Sequence, residues 1–149
     1  MKPRIQFFIA IGLFTLILGI TWFRFSTHNQ EPTQTFPATI SRDCAPWDGS
    51  AFRVSVPVNG GAMLDISIWQ APDIKNPVTF SFPDNTGRVG NANYRLASGT
   101  YGQLSGTVFF WRVEEGNQVE GKFKLVTETG QQFEGQFKAK WKSQLILCG

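Results

Sequence analysis

The sequence predicts an all-β fold: an antiparallel β-sandwich, with a flattened β-barrel as the alternative, behind a single N-terminal transmembrane helix. The sheet is predicted by a short pattern that occurs three times and by regular alternation of apolar and polar side chains. The copies begin at Leu104, Val119 and Phe133, so they lie 15 and then 14 residues apart. That distance fits one strand plus one tight turn, which indicates an antiparallel meander.

Within the second and third copies, every other residue is suited to a protein interior. A period of two with one polar face is typical of a half-buried antiparallel strand. The residues expected to face the core are Val119, Gly121, Phe123, Leu125, Thr127, Phe133, Gly135, Phe137, Ala139 and Trp141.

Each copy has a glycine at its third position, namely Gly106, Gly121 and Gly135. Glycine inside a strand marks a bulge, a bend or a place where another side chain packs over the backbone. We expect the three glycines to form a line across neighbouring strands where the sheet bends or an aromatic ring packs down. A backbone kept clear for a ligand is the alternative.

The first 24 residues have the length and composition of a membrane anchor. Ile5 to Phe23 is an apolar run with only three polar interruptions. As a helix, a run of this length covers about 28 Å, close to the roughly 30 Å hydrocarbon layer of a bilayer. A cleaved signal peptide is the alternative, but the run ends in Thr21-Trp22-Phe23 without an A-x-A-like site. We therefore predict an uncleaved signal anchor over residues 1–24.

The basic residues near the anchor predict its orientation. Lys2 and Arg4 precede the apolar run and Arg24 follows it, so the positive-inside rule places the N-terminus in the cytoplasm and the rest in the periplasm or outside the cell. Of the 14 basic residues, the 11 that remain equal the 11 acidic ones. A neutral domain lacks the basic patch of a nucleic-acid-binding protein, so we expect the membrane as a partner through Ile5 to Phe23 and no nucleic acid.

Residues 25–43 are predicted to be a flexible tether, and residues 44–149 an extracytoplasmic β-sandwich domain. The tether is rich in polar residues and proline and shows no periodicity. The only histidine, His28, lies in the tether. No neighbouring group there would orient it or exclude water from it, so we do not assign it a catalytic role.

Two cysteines, Cys44 and Cys148, lie at opposite ends of the predicted domain. In an exported domain such a pair is typical of a disulfide that joins the two ends. Two cysteines without histidines make a poor zinc site, and their separation excludes a C-x-x-C redox motif. We predict a Cys44–Cys148 disulfide, with Trp47 packed beside it in a structural role; an exposed stacking platform is the alternative for Trp47.

The next segment is predicted to be a β-hairpin. Residues 52–58 and 63–69 alternate, and the Asn59-Gly60 pair between them is a strong hairpin signal. If Leu64, Ile66 and Ile68 face the core, Trp69 faces out and is the best candidate for an exposed aromatic side chain, although we expect a loop to cover it.

The segment from Asn85 to Gly102 is rich in glycine, asparagine and serine and contains Arg88 and Tyr94. Because loops carry binding residues more often than strands do, and Tyr and Arg are frequent at binding hot spots, we expect Trp69, Arg88 and Tyr94 to border one functional surface.

The turn at residues 83–87 offers oxygen atoms to calcium, but its spacing matches no EF-hand loop. We predict no metal and no cofactor.

No known catalytic motif occurs in the predicted domain: it has no histidine, no G-x-S-x-G elbow and no phosphate-binding glycine loop. The leading hypothesis is therefore a non-enzymatic, membrane-anchored binding or accessory domain for a protein or envelope-polymer (polysaccharide) partner. The alternative is a small β-barrel that binds an apolar ligand in a cavity lined by phenylalanine. A hydrolase that uses carboxylates alone ranks third, because Glu120 and Glu134 share their strand faces with lysines and cross-strand ion pairing explains them.

Overall fold

Alternating apolar residues form nine strands within residues 33–143 and 146–148, the part of the chain that this computed structural model describes. A 3₁₀ turn at Asn59–Gly61 joins the second strand to the third, which confirms the predicted hairpin. The strands are β1 (Thr35–Cys44), β2 (Ser50–Val58), β3 (Ala62–Ile68), β4 (Asp73–Ile74), β5 (Val78–Phe82), β6 (Gly90–Arg95), β7 (Tyr101–Glu114), β8 (Val119–Thr127) and β9 (Gln132–Trp141).

Seven of these strands close into a barrel in the order β7-β6-β3-β2-β1-β9-β8 and back to β7. All neighbours in the ring are antiparallel except β1 and β9, which run parallel. The predicted all-β class is confirmed. The preferred sandwich is wrong, because β1 pairs with β9 and β7 pairs with both β6 and β8, so the hydrogen-bonded sheet has no gap between two layers.

Strand β1 corrects the predicted tether and domain boundary. Residues 35–43 form most of this strand rather than a flexible linker, and Phe36, Ala38 and Ile40 are buried in the core. Their period of two is the usual signature of a half-buried strand, but Pro37 and the polar residues between them hide it. The folded domain therefore begins near Thr33, not at Cys44.

Two prolines end the hydrogen-bonded ladder between β1 and β2. The ladder starts at the pair Thr39–Ser55, and the same register places Pro37 opposite Pro57. Neither residue has a backbone N–H to donate. Beyond that point β1 continues beside β9 alone, where the pairing runs from Thr35 to Ile40.

The long strand β7 shares one edge among three partners. Its first residues pair with β6, its middle with β5 and its end with β4. Gly106, with a φ of 135°, lies in β7 where pairing with β6 has ended and pairing with β5 begins. A side chain there would strike the carbonyl of Lys124 on the other edge, so glycine permits the bend at which β7 changes partners. Strands β4 and β5 thus lie outside the ring.

Aromatic rings fill the barrel interior. Phe110 is fully buried and meets Phe52, Phe80 and Phe137 with ring centroids at 5.7, 5.9 and 5.6 Å. The steep angles between the rings are the edge-to-face geometry that aromatic quadrupoles favour. Phe80 comes from the outer strand β5, so that strand supplies part of the core rather than covering it.

Two of the three motif glycines lie under aromatic rings, as expected. The ring of Phe137 covers Gly121, and a Cβ at Gly135 would lie 2.6 Å from the ring of Phe36. The predicted straight line is wrong, because Gly121 is opposite Phe137 and Gly135 is opposite Phe123. The copies are therefore offset along the strands, as the tilt of strands in a closed barrel requires.

The two ends of the barrel differ in what they carry. The N-terminal pole is the end where β1 begins, with the turns at 59–61 and 96–100. The disulfide pole is the end where β1 finishes, and here Cys44 is bonded to Cys148 with Cα atoms 5.6 Å apart. The predicted disulfide is confirmed. The chain enters β1 at the opposite pole, so the expectation that it joins the domain at Cys44 is wrong.

The predicted anchor over Ile5 to Phe23 and the cytoplasmic N-terminus fall outside the residues that the structure describes. Within residues 33–143 and 146–148, no helix combines the length and the apolar character needed to cross a membrane.

Candidate functional site

The structure brings together two of the three predicted site residues. Trp69 follows β3 at the disulfide pole, and its backbone N–H donates to the carbonyl of Val89 at 2.9 Å. Arg88, the residue before Val89, is exposed at the same pole. Tyr94 lies near the other end of the barrel, where its ring packs over Gly102. Tyr94 is partly buried against the core and is therefore separated from the other two.

A fourth residue, Trp47, lies beside Trp69 and was not included among the predicted site residues. It is 52% exposed, and the two rings meet edge to face with their centroids 5.5 Å apart and their planes at 83°. The sequence places Trp47 beside the disulfide in a structural role. In the structure residues 35–44 form strand β1, so residues 45–49 connect two strands. Trp47 lies on this connection and is exposed to solvent.

The turn at residues 45–49 holds Trp47 in a defined position. Ala45 donates its N–H to the carbonyl of Gly49 at 2.8 Å, and Asp48 donates to the carbonyl of Ala45 at 3.0 Å. Asp48 adopts the left-handed φ of 62° that this tight connection requires. The indole lies against Gly49, where a Cβ would be 2.7 Å from Nε1. Cys44 fixes the start of the turn through the disulfide.

An ion-pair network lies on the outer surface of β1, β2 and β3, toward the disulfide pole that also carries the tryptophan pair (Trp47 and Trp69). Arg53 contacts Asp43 at 2.8 Å and donates to Ser67 Oγ at 3.1 Å. Ser67 is 4% exposed and lies in β3, two residues before Trp69 in the sequence. Ser67 Oγ in turn donates to Asp43 at 3.3 Å. The network ties three strands together beneath the disulfide pole, and the carboxylate that accepts from Ser67 is paired with Arg53.

A bidentate ion pair spans the mouth of the barrel at the disulfide pole. Arg42 of β1 donates to both carboxylate oxygens of Glu115 at 2.7 and 2.6 Å. The hydrogen bond from Arg42 lowers the pKa of Glu115 below its ordinary value, and this effect exceeds the opposing effect of burial. An open depression of about 400 Å³ adjoins the pair and also touches Asp73 and Glu114. Each of its three carboxylates is paired with a basic side chain: Glu115 with Arg42, Asp73 with Lys75 and Glu114 with Arg112.

The other carboxylates of the strand faces are engaged as the sequence suggests. Glu120 contacts Lys138 at 3.2 Å and Glu134 contacts Lys124 at 3.7 Å, both across neighbouring strands. In the turn at 83–87, Asp84 accepts N–H groups from Gly87, Arg88 and Val89. Within the described ranges, no three His, Cys, Asp or Glu side chains form a group that would hold a metal ion.

A second depression, of about 250 Å³, opens at the N-terminal pole. Its floor is made by Phe36, Phe123 and Phe133 and its rim by amide side chains. Gln34 and Asn59 close one side by exchanging two hydrogen bonds, at 2.8 and 3.3 Å.

Comparison with protein families, curated proteins and solved structures gave no match for this chain.

Proposed function

We propose that this chain is a membrane-anchored, extracytoplasmic β-domain that acts as a non-enzymatic binding or accessory module for a protein or an envelope polymer. The observation that carries the proposal is the tryptophan pair. Trp47 is half exposed, yet it is held by Trp69, by the turn at 45–49 and by the disulfide. A rigid, exposed aromatic side chain loses little conformational entropy on binding, which is typical of binding hot spots.

The packed interior supports a surface site over an internal one. A barrel that stores an apolar ligand needs a cavity of several hundred cubic ångströms lined by apolar side chains. Here the rings of Phe52, Phe110 and Phe137 occupy the interior and are fully buried. The alternative of a small-ligand barrel is therefore less well supported than a binding surface at one pole.

The engagement of the carboxylates supports a non-enzymatic role. Glu115, Glu120 and Glu134 are each paired with a basic side chain. A carboxylate that serves as a general acid needs a pKa raised toward neutrality, whereas the pKa of Glu115 is lowered.

The tryptophan pair lies apart from the start of the barrel's first strand. Strand β1 begins at Thr35 at the N-terminal pole, whereas the pair lies at the disulfide pole, at the other end of the barrel.

Site-specific photocrosslinking in the native envelope tests this function. A photoreactive amino acid is placed in the full-length chain at Trp47 or, as the matched control, at Tyr101, an exposed aromatic residue (63%) at the N-terminal pole. We expect a reproducible crosslinked species of defined mass from position 47 and not from position 101. Crosslinks from position 101 alone, or from neither position, would contradict the proposal.

A further inference from the structure

The outer face of β8 and β9 differs in its charge from the rest of the barrel. We propose that this face, here called the lysine face, docks on an anionic lipid bilayer through its ammonium groups and through the neighbouring rings of Phe109 and Trp111. The proposal does not depend on a partner at the tryptophan pair. The charged residues of the lysine face are Lys122, Lys124, Lys138, Lys140, Lys142, Glu120 and Glu134.

The period of two in both strands places these lysines on one surface. Along β8 and β9 the residues that alternate with the lysines are buried or, at Trp141, partly buried, so the lysines point away from the core. Lys142 directly follows β9 and continues the same alternation, with its backbone N–H donating to the carbonyl of Ile40 at 2.8 Å. All five lysines are exposed.

Charge is unevenly distributed over the domain. On the lysine face the two glutamates pair with Lys124 and Lys138, at 3.7 and 3.2 Å. Within residues 33–143 and 146–148, no ion pair forms at Lys122, Lys140 or Lys142. The other residues of the segment 33–149 include eight acidic and six basic side chains. The lysine face is therefore positive and the rest of the domain negative, so an anionic surface attracts this face in preference to the others.

The pairing of the strands excludes one structural explanation for the lysines. Lysine is common on edge strands, where its charge prevents pairing with another chain. Here β8 pairs with β7 and β9, and β9 pairs with β8 and β1, so each strand has a neighbour on both sides. The lysines therefore protect no free edge, and their concentration on one surface fits an external anionic partner better.

Two aromatic side chains of β7 adjoin the lysine face and favour a bilayer over a soluble anionic polymer. Phe109 is directly opposite Lys122 in the ladder, and its ring meets that of Trp111 with the centroids 4.9 Å apart. The ammonium group of Lys122 lies 5.2 Å from the centroid of the Trp111 ring, and this indole is 39% exposed. A tryptophan with a lysine beside it suits the bilayer interface, where the ring enters the headgroup region and the ammonium group stays at the phosphates.

Photocrosslinking of the full-length chain to lipids tests the docking surface. A photoreactive phenylalanine analogue replaces Trp111 or, as the matched control, Met63, a partly exposed residue on the outer face of β3 on the other side of the ring. Each protein is mixed with vesicles of phosphatidylcholine alone or with vesicles that also contain phosphatidylglycerol, and lipid adducts are measured by mass spectrometry. We expect phosphatidylglycerol to raise the adducts from position 111 several-fold and to leave those from position 63 low.

A lysine variant separates electrostatic docking from mere proximity of the chain to the bilayer. Lys140→Gln/Lys142→Gln removes two positive charges of the lysine face without changing the surroundings of position 111. It should lower the adducts from position 111 in the phosphatidylglycerol vesicles about tenfold, because each lysine near an anionic membrane adds to the attraction. The matched control is Lys75→Gln, which changes an exposed lysine in the β4–β5 connection and should leave the adducts unchanged.

Three results would overturn the inference: equal adducts from positions 111 and 63, adducts from position 111 that do not depend on lipid charge, or unreduced adducts in Lys140→Gln/Lys142→Gln. Binding of heparin through the same lysines without lipid adducts from position 111 would also overturn it and would assign the lysine face to a soluble polymer. None of these readouts involves the tryptophan pair, so their failure leaves the proposed function standing, and failure of the crosslink at position 47 leaves the lipid result standing.

Discussion

Trp47 and Trp69 meet edge to face, with 5.5 Å between their ring centroids, although they belong to different connections of the barrel. The contact joins the β1–β2 turn to the end of β3 at the pole that the disulfide closes. Through this contact the two aromatic residues form one surface. The contact requires that β1 be part of the barrel.

The role of β1 leads to a prediction about domain boundaries. A fragment of residues 33–149 should fold cooperatively, because it keeps the whole ring of seven strands. A fragment of residues 44–149 should not, since it loses Phe36, Ala38 and Ile40 from the core and exposes the edges of β2 and β9. Circular dichroism melts of both fragments check this. Equal melting temperatures would contradict the assignment of β1 to the folded domain.

Removal of the disulfide should weaken the domain substantially. The bond joins residues 104 positions apart, and a cross-link that closes so long a loop is typically worth about 2–4 kcal/mol. We expect the double variant Cys44→Ser/Cys148→Ser to lose about that much unfolding free energy in urea titrations. A reductant should lower the stability of the wild type and leave the double variant unchanged, which is the control for nonspecific effects.

The aromatic core predicts a steep difference between two adjacent residues. Phe110 is fully buried among three rings, whereas Phe109 is only partly buried and meets Trp111 edge to face. Phe110→Ala should cost about 3–5 kcal/mol of unfolding free energy, because it leaves a cavity in the barrel. Phe109→Ala should cost clearly less. Similar losses in the two variants would mean that the inward and outward faces of β7 are assigned wrongly.

The ion pair at the barrel mouth predicts a defined pH dependence. Because Arg42 lowers the pKa of Glu115 in the folded state, ionised Glu115 stabilises the fold above its unfolded pKa, and this contribution disappears as the pH falls through the lower folded pKa. Glu115→Gln should therefore be less stable than the wild type at pH 7, and the difference should begin to shrink as the pH falls below the ordinary pKa of a glutamate, about 4.3, and vanish only below the lower pKa of the folded state.

The control for this pH experiment is Glu128→Gln, which changes an exposed glutamate in the β8–β9 turn. Thermal melts of the three proteins from neutral to acidic pH give the comparison. A Glu115→Gln variant that differs from the wild type by the same amount at every pH would show that the carboxylate charge is not what stabilises the mouth.

Short stretches of the sequence predicted those features of the fold that depend only on neighbouring residues. The alternation around Phe123 and Phe137 identified buried positions, and the Asn59-Gly60 pair identified a hairpin, because side-chain period and turn chemistry are properties of short segments. The disulfide was predictable for another reason: two cysteines leave only one intramolecular pair.

Closure of the barrel was not predictable in the same way. It depends on the parallel pairing of β1 with β9, from Thr35 with Gln136 to Ile40 with Trp141, and contacts so distant in sequence leave no local signal. Strand β1 was missed because Pro37 interrupts its alternation. The error concealed the turn at 45–49, so Trp47 was assigned a structural role. The separation of Tyr94 from Trp69 and Arg88 was not predictable either, because the direction of β6 across the barrel depends on the same closure.

Binding at the tryptophan pair is tested most directly by quantitative capture of envelope components with matched variants of the full-length chain. Three proteins are compared with the wild type: Trp47→Ala, Arg88→Ala and, as the control from the opposite pole, Tyr101→Ala. We expect Trp47→Ala to lose most of the captured material, Arg88→Ala to lose part of it and Tyr101→Ala to retain it, with melting temperatures close to that of the wild type in all three. Full capture by Trp47→Ala together with loss in Tyr101→Ala would place the functional surface at the N-terminal pole and contradict the account.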